Sequence, residues 1–347
     1  MKPRTILPAF AFLVVSTFGL GTASAADEPL AIEVPEGVSI VLADDANNVA
    51  NLLKLSGQDQ KLAADVSFAN FSSGPLRLEA IRAGAAQVGA VGDVPPILAH
   101  FSDADVVIVG AVITSGEGNT LATAPDSGIE TLEDLAGKRV GINVGTAQQA
   151  TVLRNLRAVG LTLDDIEPIH LGLSEFADAL RAGQIDAAVL KQPDRARYLA
   201  SVEGTGAREI DNAPGGNTNL KYLYASKSAL ADPAQAAAIR DLVVHWYRAH
   251  LWKNDNQELW ISEYLVKDQR LSREDAEIAA ASEGDATRIP DWDELLVTQQ
   301  DTIDILQSAG EFAGKELDAA DEFDTRFDGL TEASPTVSDG KSAALVQ

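Results

Sequence analysis

Cysteine is absent from the 347 residues. That excludes disulfides, thiolate metal centres, a cysteine nucleophile and a lipidated N-terminal Cys. Basic residues are scarce, 27 Lys and Arg against 52 Asp and Glu, for a net charge of -25. A nucleic-acid binder draws most of its affinity from neutralising phosphates, and anionic lipid attracts the same basic clusters. Neither partner is expected. Only His100, His170, His245 and His250 carry imidazole. None shows zinc-ligand spacing, because His245 and His250, five apart, do not share a helical face. No Walker loop, dinucleotide fingerprint or nucleophile elbow occurs. Asp318, Asp321, Asp324 and Asp328 depart from the spacing of a 12-residue calcium loop and read as a solvated helix face. We expect no metal, no cofactor and no catalytic group.

What is present suits a globular chain. Apolar residues make up 46% and charged residues 23%, enough for a full core in about two domains. The first 25 residues read as a signal peptide rather than as part of the fold. Lys2 and Arg4 precede an apolar run, Ile6 to Leu20, and Ala23-Ser24-Ala25 supplies the small residues that a signal peptidase reads. The run is short for a membrane span. The expected mature chain starts at Ala26, with a net charge of -27 once Lys2 and Arg4 are gone from the -25. An exported chain without a Cys to lipidate points to a soluble protein of a Gram-negative periplasm.

Beyond that, strands and helices alternate. Val38–Ala43, Val66–Ala69, Gln87–Val91 and the β-branched run Val106–Ile113 read as strands. Helices are expected over Asn47–Leu55, from Gly74 to Ala83, and from Pro95. The rhythm resumes with strands near Leu121, Arg139–Ile142, Ile166–His170 and Ala187–Leu190, separated by helices near Ala147–Val159, Glu175–Ala182 and Arg195–Ser201. Such alternation predicts parallel sheets covered on both faces. One more strand, Leu220–Ala225, precedes a helical end over Pro233–Lys253, Asn256–Val266, Arg273–Ala281 and Trp292–Ser308. All four tryptophans lie there, and packing helices onto sheets is their expected role.

Small and turn-forming residues recur just after the strands. Ser72-Ser73-Gly74-Pro75 follows the second, Gly92-Asp93-Val94-Pro95-Pro96 the third, and Gly145-Thr146-Ala147-Gln148 a strand of the second half. Ligands of open α/β sheets bind beyond the carboxyl ends of strands, where helix N-termini offer N–H groups and a favourable dipole to anions. Ordinary turns call for the same residues, so each motif alone is weak.

In order, the motifs form a pattern. The stretch Ser73 to Gly84, then Gln87-Val-Gly-Ala-Val-Gly-Asp-Val-Pro-Pro96, resembles the substrate-binding proteins of aliphatic sulfonate, taurine and nitrate importers. Thr131 to Gly141, Gly145-Thr146, Asp164-Asp165, Leu180 to Asp186 and Pro193 continue the likeness, and Gln300 and Asp304 fit the last long helix. It covers Val38 to about Leu317.

The resemblance implies a type II periplasmic binding fold, an α/β architecture of two lobes with mainly parallel sheets, joined by two hinge crossings, with a helical C-terminal part. The crossings then fall near Thr114–Gly118 and Gly216–Leu220. Lobe I would comprise 29–116 plus 218–327, lobe II 117–217, and 328–347 a flexible tail. Carried over residue by residue, the ligand-binding set is Ser72, Ser73 and Gly74, Asp93, and Gly145, Thr146 and Ala147. Asp45 and Asn47 after the first strand, Ser115 in the first crossing, and Lys191 and Gln192 after the strand from Asp186 complete it. Departures from the family are Ala188, Lys191 and Gln192 near a position rich in Trp and Asp, Arg77 where an aliphatic residue is usual, and the acidic opening Asp44-Asp45.

The function implied is that of a monomeric receptor in the periplasm, closing on a small organic anion, sulfonate- or taurine-like, and delivering it to an ABC permease. The helix N-termini at Ser73-Gly74 and Gly145-Thr146, with Lys191, would hold the anion, and Asp44 or Asp45 an ammonium. The alternatives are a receptor for a cationic or neutral nitrogenous ligand, such as an amine or pyrimidine, and an enzyme on the same fold. Enzymes that resemble this family rely on Cys or His chemistry, which counts against the last.

Overall fold

The computed structural model describes residues 29–288 and 291–337; the expected signal peptide lies outside them. The described elements begin with β1 (Ser39–Asp44), whose last three residues are buried. It continues through α1 (Asn48–Leu55), β2 (Asp65–Asn70), α2 (Gly74–Arg82), β3 (Val88–Val91), α3 (Val94–Phe101) and β4 (Val106–Thr114). A second series follows: β5 (Asn119–Thr123), β6 (Arg139–Ile142), α4 (Ala147–Ala158), β7 (Glu167–His170), α5 (Phe176–Arg181), β8 (Ala187–Lys191), α6 (Asp194–Ser201) and the short β9 (Glu209–Ile210).

Then come β10 (Leu220–Ser226), α7 (Lys227–Leu230), α8 (Pro233–Asp255), α9 (Gln257–Leu259), a π-helical stretch Trp260–Asp268, α10 (Arg273–Glu283), β11 (Ala286–Arg288) and α11 (Trp292–Ser308). The expected order of elements is therefore observed. The short strands β9 and β11 and the π-helical turns were not foreseen, since two- and three-residue strands are set by their neighbours and not by local pattern.

The strands form two sheets, one in the order β11-β4-β10-β3-β1-β2 and one in the order β7-β6-β8-β5-β9. In the first, β1 pairs in parallel with β2 and β3, while β10 enters antiparallel between β3 and β4. In the second, β6 pairs in parallel with β7 and β8, and β5 runs antiparallel to β8. The chain crosses between sheets from β4 to β5 and returns from β9 to β10. These are the parallel-rich sheets that the alternation predicted, set in the two-lobed α/β architecture that the resemblance implied.

Each sheet is covered on both faces. Along β8, Ala187 and Val189 join the apolar cluster that includes Val152 and Leu156 of α4. Ala188 and Leu190 point the other way, into a cluster with Phe176 and Tyr198. That is the two-residue alternation of a strand between two helical layers. Three of the four tryptophans, Trp246, Trp260 and Trp292, are buried in the core of the first lobe in the packing role expected, whereas Trp252 is only half-buried. A further cluster joins the lobes: Val94 and Ile97 of α3 and Ala150 and Leu153 of α4 pack with Ile303 and Leu306 of α11.

Two expectations about the end of the chain are revised. Asp318 and Asp324 do not form a helix face but accept backbone N–H bonds at short 3₁₀ turns. The residues up to Val337, expected to be loose from Asp328 on, lie against α8. Arg248 donates to the carbonyls of Glu332 and Ser334, and Arg240 to that of Pro335. Arginines of a helix far away in sequence hold this segment, a pairing that its small, polar composition conceals.

Candidate functional site

The carboxyl ends of β1, β3 and β8 meet at a cavity of about 230 Å³ between the sheets. That volume suits a small ligand. From the first lobe, Asp45 follows β1 and Gly74 starts α2. From the second come Thr146 and Ala147 at the start of α4, with Lys191 and Gln192 after β8.

Each helix start here has its own cap. Ser73 accepts the Leu76 N–H through its side chain, and Thr146 that of Gln149, as N-cap residues do. At α1 the cap is unusual. Asn47 has a left-handed backbone (φ 55) and no side-chain cap bond. The Asp44 carboxylate instead accepts the N–H groups of Asp45, Val49 and Ala50 at 2.7, 3.1 and 3.0 Å. Asp44 is fully buried, and burial raises its pKa against the lowering by those bonds. The N-terminus of α1 is thus already filled by an anion of the chain itself.

Charge is carried across the cavity by side chains. Lys191 of the second lobe pairs with Oδ2 of Asp45 in the first. Arg77 of α2 approaches the same oxygen at 3.7 Å. Deeper in, Lys221 of β10 and Lys253 of α8 both pair with Glu283, Lys253 at 2.9 Å. Burial pushes the Glu283 carboxyl up, but the two ammonium groups outweigh it and hold it well below the carboxylate range. Burial lowers the pKa of Lys253, with Glu283 opposing. His250, edge-on to Trp246 at 4.8 Å, is pushed well below its ordinary pKa by burial and by Lys221 and Lys253.

The other candidates stand elsewhere. Asn47 donates its backbone N–H to Asn70, Ser72 is exposed, and Ser73 serves as a cap. Ser115 exchanges hydrogen bonds with the Asp285 backbone at the crossing from β4 to β5. Gly145 adopts φ 78 and donates to the side chain of Gln149. Asp93, expected on the ligand, is buried in an ion pair with Arg154 of α4 at 3.0 Å and accepts from Thr218. None of these six lines the cavity.

Conversely, Arg77, Lys221, Trp246, His250, Tyr264 and Glu283 line it without having been proposed as ligand-binding residues. One signal was legible: Lys221 is a lone charge in the otherwise apolar run of β10. Among the described residues no cluster of His, Asp or Glu has the geometry of a metal site.

Two lobes around a lined cleft define the fold of a periplasmic binding protein. The profile of the family described as NMT1/THI5 like matches residues 64–231, and named relatives bear out the likeness to sulfonate- and taurine-binding proteins. A putative aliphatic sulfonates-binding protein of Escherichia coli is 31% identical over 216 residues, 62% of this chain and 64% of that protein. The taurine-binding periplasmic protein of the same organism is 28% identical over 130 residues, 38% of this chain and 40% of that one. The chain thus matches less than two thirds of the length of either relative.

Among solved structures, the alkanesulfonate-binding protein of Xanthomonas axonopodis pv. citri, bound to MOPS, superposes with a TM-score of 0.72 at 24% identity. It covers 83% of this chain and 99% of its own. A desulfurization enzyme has the same fold, with a TM-score of 0.57 at 16% identity, over 89% of this chain and all of its own. No described helix is long and apolar enough to cross a membrane.

Proposed function

We propose that this chain is a periplasmic, monomeric solute receptor of an ABC importer. It holds a small sulfonate-like anion that also carries an amine, and passes it unchanged to a membrane permease. The observation that carries this reading is the Lys191–Asp45 pair across the cavity. A taurine-like zwitterion inserted between them exchanges one ion pair for two. A plain anion leaves Asp45 unpaired, and a plain cation leaves Lys191 so. The N–H groups at Gly74 and at Thr146-Ala147 complete the anion's shell. The protein's negative charge does not forbid this, because salt screens a distant field within about 8 to 10 Å.

On this reading the lobes are 29–116 with 218–327, and 117–217, with ligand trapped as they close. Relatives named as periplasmic, together with the Ala23-Ser24-Ala25 site, support export with cleavage before Ala26. N-terminal sequencing of an osmotic-shock fraction tests that.

Calorimetry and thermal shift with taurine, ethanesulfonate, nitrate, an alkylamine and a pyrimidine test the ligand. Taurine should bind best, and at 100 times its Kd should add about 2.7 kcal/mol of stability. Binding of only the amine or the pyrimidine would replace the anion by a nitrogenous ligand. Conversion of a bound sulfonate would make the protein an enzyme.

A further inference from the structure

Two cations from opposite sides of the cavity converge on one atom. Lys191 Nζ and Arg77 Nη1 both face Asp45 Oδ2. Arg77 is only 6% exposed, and its Nη1 also donates to the Phe71 carbonyl at 2.7 Å. Its Nε is buried with no hydrogen-bond partner among the described residues. An under-satisfied guanidinium beside an ammonium is a receptor for a planar or tetrahedral oxyanion. Here the oxyanion in place is a carboxylate of the chain itself. Asp44, next door, caps α1 with three hydrogen bonds, so Asp45 is free of that task.

We infer that Arg77 and Lys191 together form the anion subsite, that Asp45 occupies it as a tethered stand-in for the ligand's anionic group, and that Asp45 thereby sets selectivity for amino-sulfonates over plain sulfonates. A plain sulfonate must displace the carboxylate and strand it. An amino-sulfonate displaces it as well but offers it an ammonium in return. This rests on the receptor reading above and adds Arg77 and the competition to it.

The test is calorimetry of the mature protein with ethanesulfonate and taurine, for the wild type, Asp45→Asn and Arg77→Met, with melting curves to show that each variant is folded. Asp45→Ser serves should the amide variant fail to fold. Asp45→Asn should bind ethanesulfonate about fivefold tighter, the scale of a partly exposed ion pair. It should bind taurine no tighter than wild type. Arg77→Met should weaken both ligands. Unchanged or weaker ethanesulfonate binding in the Asp45 variants overturns the stand-in role, and unchanged binding in Arg77→Met overturns the subsite. A wild type that binds neither sulfonate overturns the receptor reading itself, and this inference with it.

Discussion

Arg154 of α4 and Asp93, just before α3, meet at 3.0 Å with side chains 3% and 1% exposed, so a buried ion pair ties one lobe to the other. Arg154 also donates to Thr302 of α11, and Gln299 of α11 donates to the Asp93 carbonyl. Removing Asp93 leaves Arg154 buried with only the Thr302 hydroxyl and a carboxylate oxygen of Asp301 3.9 Å away, and losing the close counter-charge costs far more than the intact pair contributes. Asp93→Ala should lower stability by about 3 to 5 kcal/mol in urea denaturation. An Asp93→Leu, Arg154→Met double variant should recover most of that loss. A single variant as stable as wild type would show that the pair does not hold the lobes.

The cleft depends on a close backbone approach. A Cβ on Gly92 would stand 2.8 Å from Cβ of Ala147 in the other lobe. Gly92→Val should therefore wedge the lobes apart, increasing the radius of gyration in X-ray scattering. Overpacking of this kind costs about 1 to 3 kcal/mol, so taurine affinity should fall by about 5- to 150-fold. Wild-type affinity at an unchanged radius would contradict the wedge.

Lys191 and Asp45 are about a quarter exposed, with side chains at 26% and 24%. Their pair is therefore worth about 1 kcal/mol or less in stability. Lys191→Met should melt close to wild type, while its affinity for taurine should fall about tenfold, the scale of one charge-assisted hydrogen bond. Titration calorimetry beside melting curves separates the two effects. Retained affinity would remove Lys191 from the anion site.

His250 stays neutral in the folded protein because burial, Lys221 and Lys253 all depress its pKa. An unfolded histidine takes up a proton as the pH falls below about 6.5, whereas the folded one does not. The unfolded state then binds more protons, so stability falls with pH from about 6.5 downward. While only the unfolded form protonates, the loss approaches about 1.4 kcal/mol per pH unit. Melting curves between pH 7.5 and 5.5 should show this slope in the wild type and a shallower one in His250→Phe. Equal slopes would place the titration elsewhere.

Much of this protein was set within short stretches of chain. The β-branched run of β4, the Ser73 and Thr146 caps, and the apolar alternation of β8 depend on neighbours a few residues away. Strands, helices and their order could therefore be read directly, along with the turn residues that bring Gly74, Thr146 and Ala147 to the cleft. What surrounds the cavity could not. Asp45 meets Lys191 across 146 positions of sequence. Asp93 meets Arg154 across 61, which takes it out of the cavity, and Lys221 meets Glu283 across 62. An isolated carboxylate carries no mark of whether it will cap a helix, cross a lobe boundary or face a ligand. Capping and periodicity act over a single turn or strand and are written locally. Charge pairing at a buried surface depends on which groups folding brings within a few ångströms of each other, and only the packed lobes decide that.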